Sequence, residues 1–352
     1  MNKEQKEIIR NQLLQNLENY GILWDEERQE LSCEDFRKVQ YKLAQHTNHQ
    51  KGIYQDKVRE FIAEPDDINL LCIDPYLQVV RSNRVSDRRL WAYATSFWSI
   101  PVTVGFGRRI RFFVFDKQNN KLMGIIGLSD PIIGLSVRDD VSIGWTKDQK
   151  LNRLYNCMTA YILGAIPPYN SVLGAKMIAL SLMFPEVREI FYEKYKNSAE
   201  EKGKLSYLTY IDTLGAFGKS SIYTRLKGWD FVGYTKGQSH LHITANGSWE
   251  LIREVVNEDV FQSYKFGNGP NWKMRVLKVG LRELGLSENM LGIGWQRGYY
   301  RLPLAENWQA FLCGETNMPI FNPSSRSSLI DYWKTRWVIP RMNKLEIKLN
   351  TL

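Results

Sequence analysis

Residues 109–130, RIRFFVFDKQNNKLMGIIGLSD, commit this chain to a β-sheet. Two runs rich in β-branched and aromatic side chains flank the turn-forming Lys117-Gln118-Asn119-Asn120, so the spacing predicts a hairpin. Upstream the period is helical. Residues 3–20 place Ile8, Ile9, Leu13, Leu14 and Leu17 on one face as far as Gly21. A second helix is predicted from Ser32, whose hydroxyl would cap a first turn carrying Glu34 and Asp35, and it fades by His46. A third covers 52–63 and stops at Glu64-Pro65, because proline disfavours helical backbone in the residue before it. The change of period divides the chain into an acidic helical unit at 1–70, a sheet-containing core at 71–245 and an α+β extension at 246–352.

Beyond the hairpin the pattern predicts a short strand, VSIGW, at 141–145. MTAYILGAI at 158–166 reads as strand or buried helix by pattern alone; its β-branched and aromatic content and the Pro167-Pro168 stop favour strand for its second half. A long helix over 173–196, bent around Pro185, follows. Then come a strand in LSYLTYIDT, a short helix in SSIYTRL and a strand in WDFVGYT. The fold class is α+β, a mixed sheet flanked by helices. The 164–182 junction, GAIPPYNSVLGAKMIALSL, runs from a strand through a turn into a helix, and a helix start carries N–H donors with no internal partner that suit an anion.

Composition narrows the setting. Cys33, Cys72, Cys157 and Cys313 lie far apart without metal-ligand spacing, and no apolar window is long enough to span a bilayer, which points to a cytoplasmic protein without zinc and without a membrane segment. Residues 1–70 hold 10 Lys/Arg against 14 Asp/Glu, leaving 37 against 24 in the remainder. Such a basic body attracts polyanions, whether DNA, RNA or a phosphorylated cofactor, although positive charge is also a solubility device. Arg88, Arg89, Arg108, Arg109 and Arg111 interleave with Trp91, Tyr93, Phe97, Trp98 and Phe106, as phosphate-pairing and base-stacking groups would; the alternative is an aromatic core with arginines snorkelling from it. Lys273 and Arg275 beside Trp272, after the glycine turn FGNGPNW, form a second such element. Asp212, ending LTYID, stands where a strand-to-helix loop places a general base or a loop cap. His240 and His242 in SHLHI would share a strand face, but two histidines make an incomplete metal site.

The element order is similar to that of acyl-CoA N-acyltransferases of the GNAT type. Their pyrophosphate loop aligns with Ser171, Gly174, Ala175 and Lys176, the last standing where a small residue is usual. The resemblance implies a phosphorylated, acyl-CoA-like donor at that loop and a thiolate-protonating role for Tyr223, ahead of Gly228 and Trp229; a plain turn at Gly174 and a packing role for Tyr223 are the alternatives. A wider resemblance covers about residues 60–342. SFWSIPVTVGFGRRIRFFVFD, IGWTKDQKLNRLYNCMTAYILGAIPPYNSVLGAKMIAL, GKSSIYTRL, SHLHI, FGNGPNW and RWVIPR together resemble the DruA family of the Druantia anti-phage systems. That implies a bacterial or archaeal defence role beside a helicase-like partner, rather than a reaction, and supplies no catalytic residues to carry over. PPYNSVLGAK also resembles phage Mom DNA-modification proteins, which are GNAT-like and implicate DNA as the target.

Overall fold

The computed structural model describes residues 1–47, 51–102, 105, 107–235, 241–245, 247–265, 272–292 and 296–351. Contacts gather the chain into two units that do not follow chain order: residues 1–47, 99–101 and 236–296 form the smaller, and 48–98, 102–235 and 297–352 the larger.

In the smaller unit, Asn2 and Gln5 cap the Lys3–Asn19 helix reciprocally, and Gly21 at φ +83° ends it. The chain then forms a hairpin that the helical reading missed, β1 (Ile22–Asp25) against β2 (Glu30–Cys33). The Asp25 carboxylate accepts the N–H groups of Glu27 and Arg28, and Gln29 takes φ +53°, so a polar run that reads as loop is a tight turn. Ser32 therefore lies on β2 opposite Leu23 rather than capping a helix. Asp35 takes over near the start of the Phe36–Thr47 helix, its carboxylate accepting the Arg37 N–H. Ile9, Leu13 and Leu17 pack with Leu43 and with Ile252, Leu277 and Leu281 of the Ser248–Val255 and Trp272–Glu283 helices. The histidine segment is not a strand: Leu241–Thr244 is one helical turn, His242 is buried with Nε2 2.7 Å from the Met290 carbonyl oxygen, and His240 lies outside the described residues. Of FGNGPNW only Trp272 is described.

The larger unit is built on seven strands: β3 (Pro75–Val79), β4 (Arg109–Asp116), β5 (Lys121–Ser129), β6 (Cys157–Ala165), β7 (Tyr210–Leu214), β8 (Asp230–Tyr234) and β9 (Gly298–Pro303). Their order is β3-β4-β5-β6-β7-β9-β8, and every neighbouring pair is antiparallel except β6–β7. That parallel pair lasts three residues, ending at Thr159 opposite Asp212; β6 then continues along β5 while β7 stays with β9. A bulge places Tyr161 in the gap between the Gly127–Ile162 and Leu128–Ala160 pairs. Gly127 is required there, since a Cβ would fall 2.5 Å from the Tyr161 ring.

The hairpin at 109–129 forms as its turn chemistry predicts. The helix expected at 173–196 is two helices, Gly174–Ser181 and Pro185–Glu201, because Phe184 is extended and Pro185 starts a new first turn. VSIGW is not a strand: residues 137–143 form a π-helical turn closed by Gly144 at φ +76°. SSIYTRL is a turn with Arg225 at φ +59°, not a helix. Alternation in the strands sends Met158, Ile211, Tyr300 and Leu302 into one large core with Met177, Ile178, Phe184 and Phe191. The opposite face holds Trp91, Phe113 and Ile125 at one end and Trp145, Cys157, Tyr210 and Phe311 at the other.

Candidate functional site

The same alternation turns Thr159, Tyr210, Asp212, Tyr299 and Arg301 to that second face, where the parallel strands part. The Asp212 carboxylate accepts the hydroxyls of Thr159 and, at 3.0 Å, Tyr299. The Tyr210 hydroxyl bridges Tyr299 at 2.9 Å and Ser142 at 2.8 Å. Over this network the π-helical turn lays Arg138, whose side chain is wholly buried. Its guanidinium holds Asp139 at 2.7 Å and lies 4.0 Å from Asp212, and Nη1 has no hydrogen-bond acceptor among the described residues. Lys150 closes the chain of charges on Asp139 at 2.6 Å.

Burial raises the Asp212 carboxyl, and Arg138 and the two hydroxyls offset this only in part. Asp139 behaves oppositely: burial would raise it, but the Lys150 hydrogen bond and Arg138 bring it below the ordinary range. Burial also pushes the Tyr210 and Tyr299 hydroxyls and the Cys157 thiol upward, so all three stay protonated at neutral pH and Cys157 offers no thiolate. The arrangement is a carboxylate able to accept a proton, with a tyrosine hydroxyl against it, sealed by the protein's own arginine. Sequence reasoning found Asp212 but not Arg138, Tyr299, Tyr210 or Thr159. The available signals were the charged Arg138-Asp139-Asp140 within an apolar run and the same-face spacing of Tyr299 and Arg301.

Tyr223 is not part of this cluster. It packs against Trp229 and Tyr300, with ring centroids at 4.8 and 4.9 Å, in the core on the opposite face of the sheet. Burial pushes its hydroxyl up to about 12, an effect that the nearby Thr213 side chain opposes.

At the strand-to-helix junction the turn is filled. Tyr169 and Val172 are fully buried, Ser171 Oγ donates to the Pro168 carbonyl at 2.6 Å, and a Cβ on Gly174 would fall 2.5 Å from the Tyr169 carbonyl oxygen. Leu173, at φ +64°, has its carbonyl taken by the Lys176 N–H and the Trp333 indole N–H. Ala175 follows in the first turn of the Gly174–Ser181 helix. The Lys176 ammonium is turned inward onto the carbonyls of Ser221, Ile222 and Thr224, at 2.6, 2.8 and 3.3 Å, and lies 4.2 Å from the Trp337 ring centroid. All three of its protons are spent on backbone. These residues do not fit a donor pyrophosphate: the glycine serves the chain's own turn and the lysine serves the 221–224 turn.

Burial, helped by Arg341, pushes Lys176 down to about 8. Between that value and 10.5 the unfolded chain holds a proton that the folded chain has shed, so stability attributable to Lys176 rises with pH. Denaturant titrations from pH 7 to 10 are expected to show wild type gaining about 1–3 kcal/mol relative to Lys176→Met across this window, the effects of other groups cancelling in the comparison.

The basic candidates scatter. Arg108 is turned in, paired with Asp130 at 2.7 Å and stacked 3.7 Å from the Tyr155 ring centroid. Arg111 donates to the Tyr161 hydroxyl at 2.9 Å and lies over Trp91. Arg88 is exposed and donates to the Ser82 carbonyl, Arg89 is half-buried, and Arg109 is exposed at the start of β4. Lys273 and Arg275, both exposed, belong to the other unit. By sequence the smaller unit carries 14 Lys/Arg against 15 Asp/Glu and the larger 33 against 23, so the positive excess belongs to the larger. Among the described residues no helix is long and apolar enough to cross a membrane, and no three His, Cys, Asp or Glu side chains gather as metal ligands.

A family model described as Druantia protein DruA matches residues 25–314. A curated relative, Druantia protein DruA of Escherichia coli (strain UMEA 4076-1), is 36% identical over 296 residues, 81% of this chain and 73% of that protein. No solved structure matches the chain. On a match over most of its length to both the family model and that relative, this chain belongs to the DruA family.

Proposed function

We propose that this chain serves in a Druantia-type anti-phage defence system as a nucleic-acid-recognition subunit, built on a GNAT-like sheet that does not hold a CoA-type donor. Its partners in this reading are the other components of the system, a helicase-like protein among them, and DNA. The observation that carries the reading is the inward Lys176 ammonium, spent on three carbonyls where a donor loop needs open donors. The positive excess of the larger unit supports the choice of polyanion. Calorimetric titration of the purified chain should give no heat with acetyl-CoA. A DNA duplex should bind with an affinity that falls steeply with salt, by about a hundredfold or more between 50 and 200 mM. Saturable acetyl-CoA binding with no affinity for DNA would overturn the reading.

A second reading, a GNAT-like transferase acting on nucleic acid, is favoured by a different observation. The mixed sheet has a parallel pair that parts beside a bulge, and Asp212 sits at the parting. In that reading Asp212 accepts the proton of the acceptor group once Arg138 withdraws. Transfer of an acyl group to DNA by the purified chain, read as a new nucleoside mass, would favour it.

A further inference from the structure

Three segments far apart in sequence, GAK at 174–176, SIYTRL at 221–226 and RWVIPR at 336–341, converge around one indole. Lys176 links them: its ammonium is 3.3 Å from the Thr224 carbonyl and 4.2 Å from the Trp337 ring centroid. The Arg336 and Arg341 guanidinium groups lie 5.3 and 5.2 Å from the same centroid. Arg225 is the residue after Thr224, and Lys227 reaches 5.9 Å from the Tyr332 ring centroid on the Arg326–Trp333 helix. No carboxylate pairs with any of these five cations among the described residues, although carboxylates neutralise Arg108, Arg138, Arg301 and Arg326 elsewhere in the unit. Arg225, Lys227 and Arg336 are exposed, and Arg341 is half-buried with Nη1 donating to the carbonyls of Arg336 and Trp337.

We infer that this surface, with Arg225, Lys227, Arg336 and Arg341 at its front, binds the phosphodiester backbone of nucleic acid. The inference rests on the recognition reading above and names the surface that carries it. Gathering like charges without counter-charges is unfavourable in the free protein, and a polyanion relieves it while releasing its own counterions. The choice of backbone over bases follows from burial. Trp337 is only 8% exposed, so it offers no face for a base to stack on, whereas Arg225, Lys227 and Arg336 are exposed. The choice of an extended polyanion over a free nucleotide follows from the exposure of Arg225, Lys227 and Arg336 on separate segments, while the lysine among them, Lys176, is already committed to carbonyls.

The test is fluorescence anisotropy of a labelled DNA duplex of about 30 base pairs with the full-length chain, titrated across KCl concentrations. Arg225→Glu/Arg336→Glu should weaken binding at least tenfold and make the salt slope shallower by about 2, with an unchanged thermal midpoint. Arg88→Glu/Arg89→Glu should stay within about twofold of wild type. Wild-type affinity in the Arg225/Arg336 variant, or a loss confined to the Arg88/Arg89 variant, overturns this surface while leaving the recognition reading standing. Displacement of the duplex by millimolar pyrophosphate without a steep salt slope overturns it in favour of a small-anion site. Failure of the wild-type chain to bind any duplex overturns both.

Discussion

Replacing Arg138 with methionine is expected to destabilise the larger unit by about 3–5 kcal/mol, the cost of leaving a buried charge without its partner. The Asp212 carboxylate is 2% exposed, and the two hydroxyls on it do not supply the lost charge. Asp139 keeps Lys150 and is affected less. The deficit should also depend on pH in a defined direction. Burial already raises the Asp212 carboxyl, and losing Arg138 raises it further, so the folded variant takes up a proton that the unfolded chain does not. The gap between Arg138→Met and wild type should therefore narrow as pH falls from 7 toward 5, read by urea titration at each pH. Adding Asp212→Leu removes the stranded charge and should recover more than half of the loss, because an apolar replacement of a buried pair is often near neutral. If Arg138→Met alone costs less than about 1 kcal/mol, the network is not the electrostatic keystone of this face.

Trp333→Ala is expected to cost a similar amount, about 3–5 kcal/mol, for a different reason. The indole is completely buried in the main core, and its N–H donates to the Leu173 carbonyl at 3.3 Å, at the left-handed residue that starts the Gly174–Ser181 helix. Truncation removes both the volume and the donor, and the C-terminal helices lose their anchor on that helix. Limited proteolysis should then cut within 326–350 at protease concentrations that leave wild type intact. Trp333→Phe keeps most of the volume and should cost only about 1–2 kcal/mol. Equal effects from Ala and Phe would mean that the hydrogen bond, not the packing, holds the segment.

The sequence disclosed the elements whose chemistry is local. The 109–129 hairpin was legible because Asn119 and Asn120 supply turn conformations, Asn120 adopting φ +55°. The strand ending at Ala165 was legible because two prolines follow it. Elements whose local pattern is ambiguous were misread. VSIGW alternates like a strand, yet burying Arg138 over Asp212 winds that stretch into a π-helical turn. Ser32 is a good cap residue in a segment that pairs as a strand instead. For the site, Asp212 was visible as a carboxylate at a strand end. Tyr299 joins it only because β9 inserts between β7 and β8, a crossing that no local spacing encodes. Lys176 was the hardest residue to read, since its partners are backbone carbonyls of another turn, and these carry no sequence signal.

The central claim, recognition of nucleic acid without group transfer, is tested most directly by phage plating efficiency on cells carrying the complete defence cluster with variants of this chain. Tyr223→Phe removes the one hydroxyl that the acyltransferase resemblance assigns to chemistry and leaves its buried ring in place, so it should protect as well as wild type. Arg225→Glu/Arg336→Glu, folded but charge-reversed, should lose protection. The opposite pattern, protection lost in Tyr223→Phe at normal protein levels and retained in the charge-reversed variant, would contradict the account.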